Sequence, residues 1–195
     1  ERPARLRRLS AGLVGLITPE LTNPIFPAFA QAIENGLSRA GYTAVLCTQT
    51  PGGVHEDAYV QMLLDRGVSG IIYVSGQHAD TTTEAQRYVA LRRRGLPIVL
   101  VNGYIEGVDA PFVSNDDVAA MQLALHHLLE LGHVRIGLAV GQDRYVPAIR
   151  KIDGFRPVMQ ERFPQLNADE FIARSFFTVE GGQVAARALL ERECT

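Results

Sequence analysis

The chain has 195 residues, 47% hydrophobic and 21% charged, with a formal net charge of −2. That length suits one large domain or two small ones and allows about 70% of the unfolded surface to be buried. The composition excludes a disordered or fibrous chain, no apolar run approaches the length of a transmembrane helix, and no whole-protein basic field invites nucleic acid. The two cysteines, Cys47 and Cys194, make neither a disulfide framework nor a four-ligand zinc site by themselves, so a reducing compartment is the simpler reading. Lys151 is the only lysine among the 19 basic residues. Arg2, Arg5, Arg7 and Arg8 crowd the start, and no continuous apolar segment follows them. This start does not read as a convincing signal peptide. It is either a basic linker or a solvated tail.

The elements alternate along the chain. Residues 13–17 read as a buried strand. Asn23-Pro24 opens a helix, with Asn as N-cap and Pro at the first helical position. Phe26, Phe29, Ala30, Ile33, Leu37 and Ala40 follow at helical spacing, and Gly41 stops it. A strand at 43–47, a break at Pro51-Gly52-Gly53 and a helix at 55–66 come next. Residues 69–75 form a third strand. Thr81-x-x-Glu84 has the form of a capping box, opening a helix that runs to Arg94. Strands at 98–101 and 112–114 precede a helix capped by Asp116. The pattern restarts near His133: a strand at 134–140, a helix at 147–162 interrupted by Pro157, a strand at 171–174, and a helix at 180–193 packed through Val184, Ala185, Ala188 and Leu189. Proline inside the helix removes a backbone bond and predicts a kink or a shortening.

Strands that alternate with helices and are apolar throughout are covered on both faces. The fold class is α/β, with doubly wound parallel sheets in two halves. No glycine-rich nucleotide loop, nucleophile elbow or phosphate loop occurs. His126 and His127 point about 100° apart on a helix of 3.6 residues per turn, and His133 lies beyond its end, so packing explains them better than a metal. Cys47 reads as a small buried hydrophobe. No cofactor is implied, and nothing points to an enzyme. In open parallel sheets ligands bind beyond the carboxyl ends of the strands. The residues expected there are 18–26, Thr48, 75–78, 102–104 and 142–145. They are polar, with a few aromatics and few charges, which suits a neutral polyol such as a sugar.

Four stretches carry a family resemblance: LVGLITPELTNPIFPAFAQAIENGLSRAGY (13–42), DRGVSGIIYVS (65–75), LHHLLELGHVRIGLAVG (125–141) and FTVEGGQVAARALL (177–190). In this order and at these separations they resemble the effector-binding core of LacI-family bacterial transcriptional regulators. The resemblance implies a periplasmic-binding-protein-like fold. Residues 1–10 would be a hinge remnant, 11–132 an N-terminal subdomain and 133–195 an incomplete C-terminal one. A small-molecule effector, a sugar or derivative, would sit in the cleft between the subdomains. It would control operator DNA binding by a helix-turn-helix that this chain lacks. A cytoplasmic homodimer without membrane contact is the corresponding expectation. The rival reading is an exported sugar-binding protein of a transport system, which shares this fold.

Residue by residue, the resemblance places Ile25 and Phe26 against the effector, with Phe26 supplying an aromatic face. Asn102 matches a pocket position that is often Asp; as Asn it both donates and accepts. Phe177 matches an aromatic that stacks on the effector. Lys151, three residues before Gly154-Phe155, stands where the family usually has an effector-binding arginine. A lysine lacks the planar two-pronged contact, so either one cationic donor suffices or Arg150 takes the task. Tyr145 is assigned to the same site.

Overall fold

The computed structural model describes residues 12–49 and 53–192. The Pro51-Gly52 break and Cys194 therefore lie outside the described residues. The chain divides into two compact units between Ser114 and Asn115.

The first unit is built on a five-stranded sheet in the order β2-β1-β3-β4-β5. The strands are β1 (Gly12–Pro19), β2 (Tyr42–Gln49), β3 (Gly70–Val74), β4 (Ile98–Val101) and β5 (Phe112–Val113). All four pairings are parallel. The helices between them are α1 (Ile25–Arg39), α2 (Glu56–Asp65) and α3 (Gln86–Arg93). Parallel neighbours require such crossovers. Ile17, Leu63, Ile71, Tyr73, Tyr88, Ile98 and Leu100 are buried together as its core. Pro24 already has helical dihedrals, and the Asn23 side chain accepts from Ile25 N–H at 3.2 Å, as the Asn-Pro pair predicts. The apolar stripe of α1 is only half covered: none of its residues is fully buried. The Thr81–Glu84 capping box does not open a helix. Asp80 instead folds an Asx turn, its carboxylate accepting from Thr82 N–H and Oγ–H at 2.9 and 2.6 Å. The helix α3 starts only at Gln86.

The second unit contains α4 (Asp117–Glu130), β6 (Leu138–Val140), α5 (Val146–Arg162), β7 (Ile172–Arg174) and α6 (Val179–Glu191). β6 and β7 pair in parallel. Asp116 caps α4 by accepting from Ala119 N–H at 2.9 Å, as expected. By its packing α4 belongs here, so the compact unit begins earlier than the restart at His133. Leu125 joins Ile136, Phe155, Met159, Ile172 and Leu189 in one core cluster. The strand expected over 134–140 is three residues long. Helix α5 runs unbroken past Pro157, losing a bond without ending. On α6, Ala185 and Leu189 are buried as expected, but Val184 faces outward at 61% exposure. The helix is opened by Thr178, whose hydroxyl accepts from Gly181 N–H at 3.0 Å.

Helices α4 and α5 meet closely at Gly154. A Cβ there would stand 2.7 Å from the Val118 carbonyl oxygen and 3.0 Å from Met121 Cβ. Gly154→Val should therefore cost about 3 kcal/mol, because two helices would have to separate to admit the branch. Urea denaturation of the two proteins measures this, and equal midpoints would contradict the close packing.

Candidate functional site

The strand order reverses at β1, which lies between β2 and β3. Ligand crevices form beyond the carboxyl ends of strands at such a switch point. Thr18 closes β1 there; its side-chain hydroxyl is buried and makes no hydrogen bond among the described residues.

Ser75 follows β3 and Asn102 follows β4, and both adopt left-handed backbone, with φ of 47° and 60°. They are the only such non-glycine residues among those described. Each costs of order 1–3 kcal/mol, and strain of this kind collects at ligand sites. The Asn102 amide donates to Ser75 Oγ at 2.6 Å. Ile25, at 49% exposure, and the half-buried Phe26 occupy the first turn of α1.

A buried polar cluster supports this edge. Val101 O accepts from Ser75 N–H at 2.9 Å and from His78 Nε2 at 3.0 Å. His78 is fully buried, and its Nδ1 has no partner among the described residues. Tyr73 and Tyr88 meet the imidazole edge-on, 6.4 and 6.2 Å between centroids. Glu56, buried in the first turn of α2, accepts from Tyr88 Oη at 2.8 Å and from Gln77 N–H at 3.2 Å. Arg87 lies 3.6 Å from the same carboxylate and bonds Gln77. One carboxylate and one imidazole thus pin the 75–79 turn to α2, α3 and β4. Burial raises the Glu56 carboxyl and lowers His78 to about 4. The sequence places 75–78 at this edge but gives no sign of their link to Glu56 and Tyr88. Glu56 and His78 are far apart in the chain, and a first-turn glutamate is ordinary helix chemistry.

In the second unit, Gly141 follows β6, and the Phe177 ring rests on it. A Cβ at Gly141 would fall 2.1 Å from Phe177 Cζ. Tyr145 meets Phe177 edge-on at 5.7 Å, and Phe177 remains 56% exposed. The loop before Tyr145 is held by Arg174, whose Nε donates to both Asp143 oxygens at 2.5 and 2.7 Å. Arg144 covers Tyr145, 4.9 Å from the ring centroid, and donates to its hydroxyl. Lys151 lies two turns into α5 and pairs with Asp117 at 2.5 Å. Among the sequence-derived residues the structure thus brings Tyr145 and Phe177 together, and it joins Asn102 to Ser75. No group of acidic, histidine or cysteine side chains among the described residues has the arrangement of a metal site.

The His78 imidazole gives a signed pH dependence. The unfolded chain takes up its proton near 6.5, the folded chain only near 4. Stability should fall as pH drops through that window, by up to about 3 kcal/mol at its lower end. Glu56 opposes this, since its raised pKa favours the folded state on acidification. Tyr73, Tyr88, Arg87 and Asp57 are the other ionisable groups that act on them. Melting curves at pH 7 and pH 5 should show a larger loss in the native chain than in His78→Gln. Equal losses would contradict a buried neutral imidazole.

Comparison with known proteins bears on the whole chain. Residues 11–193 match the family described as periplasmic binding proteins and sugar binding domain of LacI family. The chain is 60% identical over 200 residues to the HTH-type transcriptional regulator reg1 of Streptomyces lividans, covering 100% of this chain and 58% of that protein. It is 59% identical over 199 residues to the HTH-type transcriptional regulator MalR of Streptomyces coelicolor, again covering 100% of this chain and 58% of the relative. It therefore spans somewhat over half the length of these relatives. A LacI-family regulator of Enterococcus faecium with bound ribose superposes at a TM-score of 0.75, with 25% identity over 94% of this chain and 64% of that one. The chain belongs to the LacI family of transcriptional regulators, within their periplasmic-binding-protein-like effector domain.

Proposed function

We propose that this chain senses a small carbohydrate effector and acts by binding rather than by catalysis. In the second unit, Phe177 and Tyr145 offer an aromatic face and Lys151 a donor; in the first unit, Ile25, Phe26 and Asn102 are the proposed effector contacts. The observation that carries this reading is the half-exposed Tyr145–Phe177 ring pair seated over Gly141. A sugar presents C–H faces to an aromatic ring and hydroxyls to amides and ammonium groups. The ribose held by the Enterococcus faecium relative supports the class of ligand. In the whole protein, a homodimer, effector occupancy would favour one of two conformations and so control operator binding by a helix-turn-helix. Coupling of about 1–3 kcal/mol is typical of such systems.

Thermal melting against a panel of mono- and disaccharides tests this. At least one should raise the melting temperature of the native chain. Phe177→Ala should lose that rise while melting within a few degrees of the native chain without ligand, because the ring is largely exposed. A variant that keeps the full rise would contradict the assignment of Phe177.

A further inference from the structure

The contact at Gly154 has a consequence one turn earlier in α5. It holds Lys151 over the first turn of α4, with Nζ 2.5 Å from Asp117 Oδ1. The pair is lopsided: the lysine side chain is 39% exposed, the aspartate 8%. The second Asp117 oxygen is buried and has no hydrogen bond among the described residues. Lys151 Nζ has one further, long contact, 3.5 Å to Pro147 O. A positively polarised helix N-terminus favours a negative charge at Asp117.

An ammonium group carries three donors. Here one is spent on a carboxylate that water does not reach, where charge interactions are poorly screened. The ammonium thus faces outward as a donor whose charge is cancelled from beneath. That is sufficient for a ligand hydroxyl. It is a poor counter-charge for a phosphate group, which meets the attraction of Nζ and the repulsion of Asp117 together.

We propose that Asp117 sets the charge selectivity of the Lys151 position, fitting it to uncharged saccharides and against phosphorylated ones. Asp117 is a positioning residue: it acts through Lys151. The proposal rests on the assignment of Lys151 to the effector site, so its test must separate the two.

The composition supplies the probe. Lys151 is the only lysine, so lysine labelled with carbon-13 gives a single ε-methylene signal in the whole chain. Inorganic phosphate, titrated at constant ionic strength, should scarcely move that signal in the native chain. In Asp117→Asn it should move and saturate with about three- to tenfold tighter apparent affinity, the range of a partly exposed charge pair. Phosphate acting equally on both proteins would overturn the proposal, as would a folded Asp117→Asn with no gain. Should that variant fail to fold, Asp117→Ser replaces it, and a strong response of the native chain to phosphate overturns the proposal without any variant. A separate titration with glucose and cellobiose reads the underlying assignment. If neither moves the signal while the phosphate contrast holds, the carbohydrate reading fails and the charge-setting role of Asp117 stands.

Discussion

Every strand pairing among the described residues is parallel, and the rest of the architecture follows from that constraint. Parallel strands end on the same side of their sheet. The loops that leave β1, β3 and β4 therefore gather Thr18, Ser75 and Asn102 along one edge, whatever else those loops contain. In the second unit the same rule sets Gly141 after β6 beside Ser175 after β7, joined by the bond from Ser175 N–H to Val140 O. Polar residues that sequence distance scatters are thus collected by chain direction alone.

Holding those loops in shape needs a second kind of interaction. Ser75 and Asn102 sit in backbone conformations that side chains disfavour. They persist because Val101 O accepts two hydrogen bonds and because Glu56 and His78 fix the turn from below. These groups are themselves costly to bury. The edge is therefore kept rigid by a polar cluster where an apolar core would have been more stable. In the second unit Arg174 and Asp143 fill the corresponding role at the surface. Such arrangements make sense when a loop must present fixed donors and acceptors to a ligand.

Periodicity and turn chemistry made the scaffold legible. Short apolar runs located the seven strands found among the described residues, as expected for strands covered on both faces. Gly41, Gly67, Gly95 and Gly132 each end a helix with positive φ, a conformation that glycine tolerates. The capping-box pattern at Thr81 failed because Asp80, one residue earlier, folds the chain into a turn of its own that takes up Thr82 N–H and Thr83 N–H. The strand before Leu138 was overextended because Val134 and Ile136 alternate as in a strand, yet β7 provides only three partners. The candidate site was legible as a location on the fold. It was not legible as a set of contacts, because Glu56–Tyr88 and Asp117–Lys151 are pairings over more than thirty residues. Asp117 beside the capping Asp116 gave no cue to a separate role. Its partner is decided by how closely Gly154 lets two helices approach.

The central proposal is that a carbohydrate is bound beyond the carboxyl ends of the strands. An amide chemical-shift map of the nitrogen-15-labelled chain, recorded with and without a saccharide, tests it most directly. Shifts concentrated at 75–79, 102–103, 141–145 and 175–177 are the predicted result. Shifts confined to the amino ends of the strands, or to the outer faces of α3 and α6, would contradict the account.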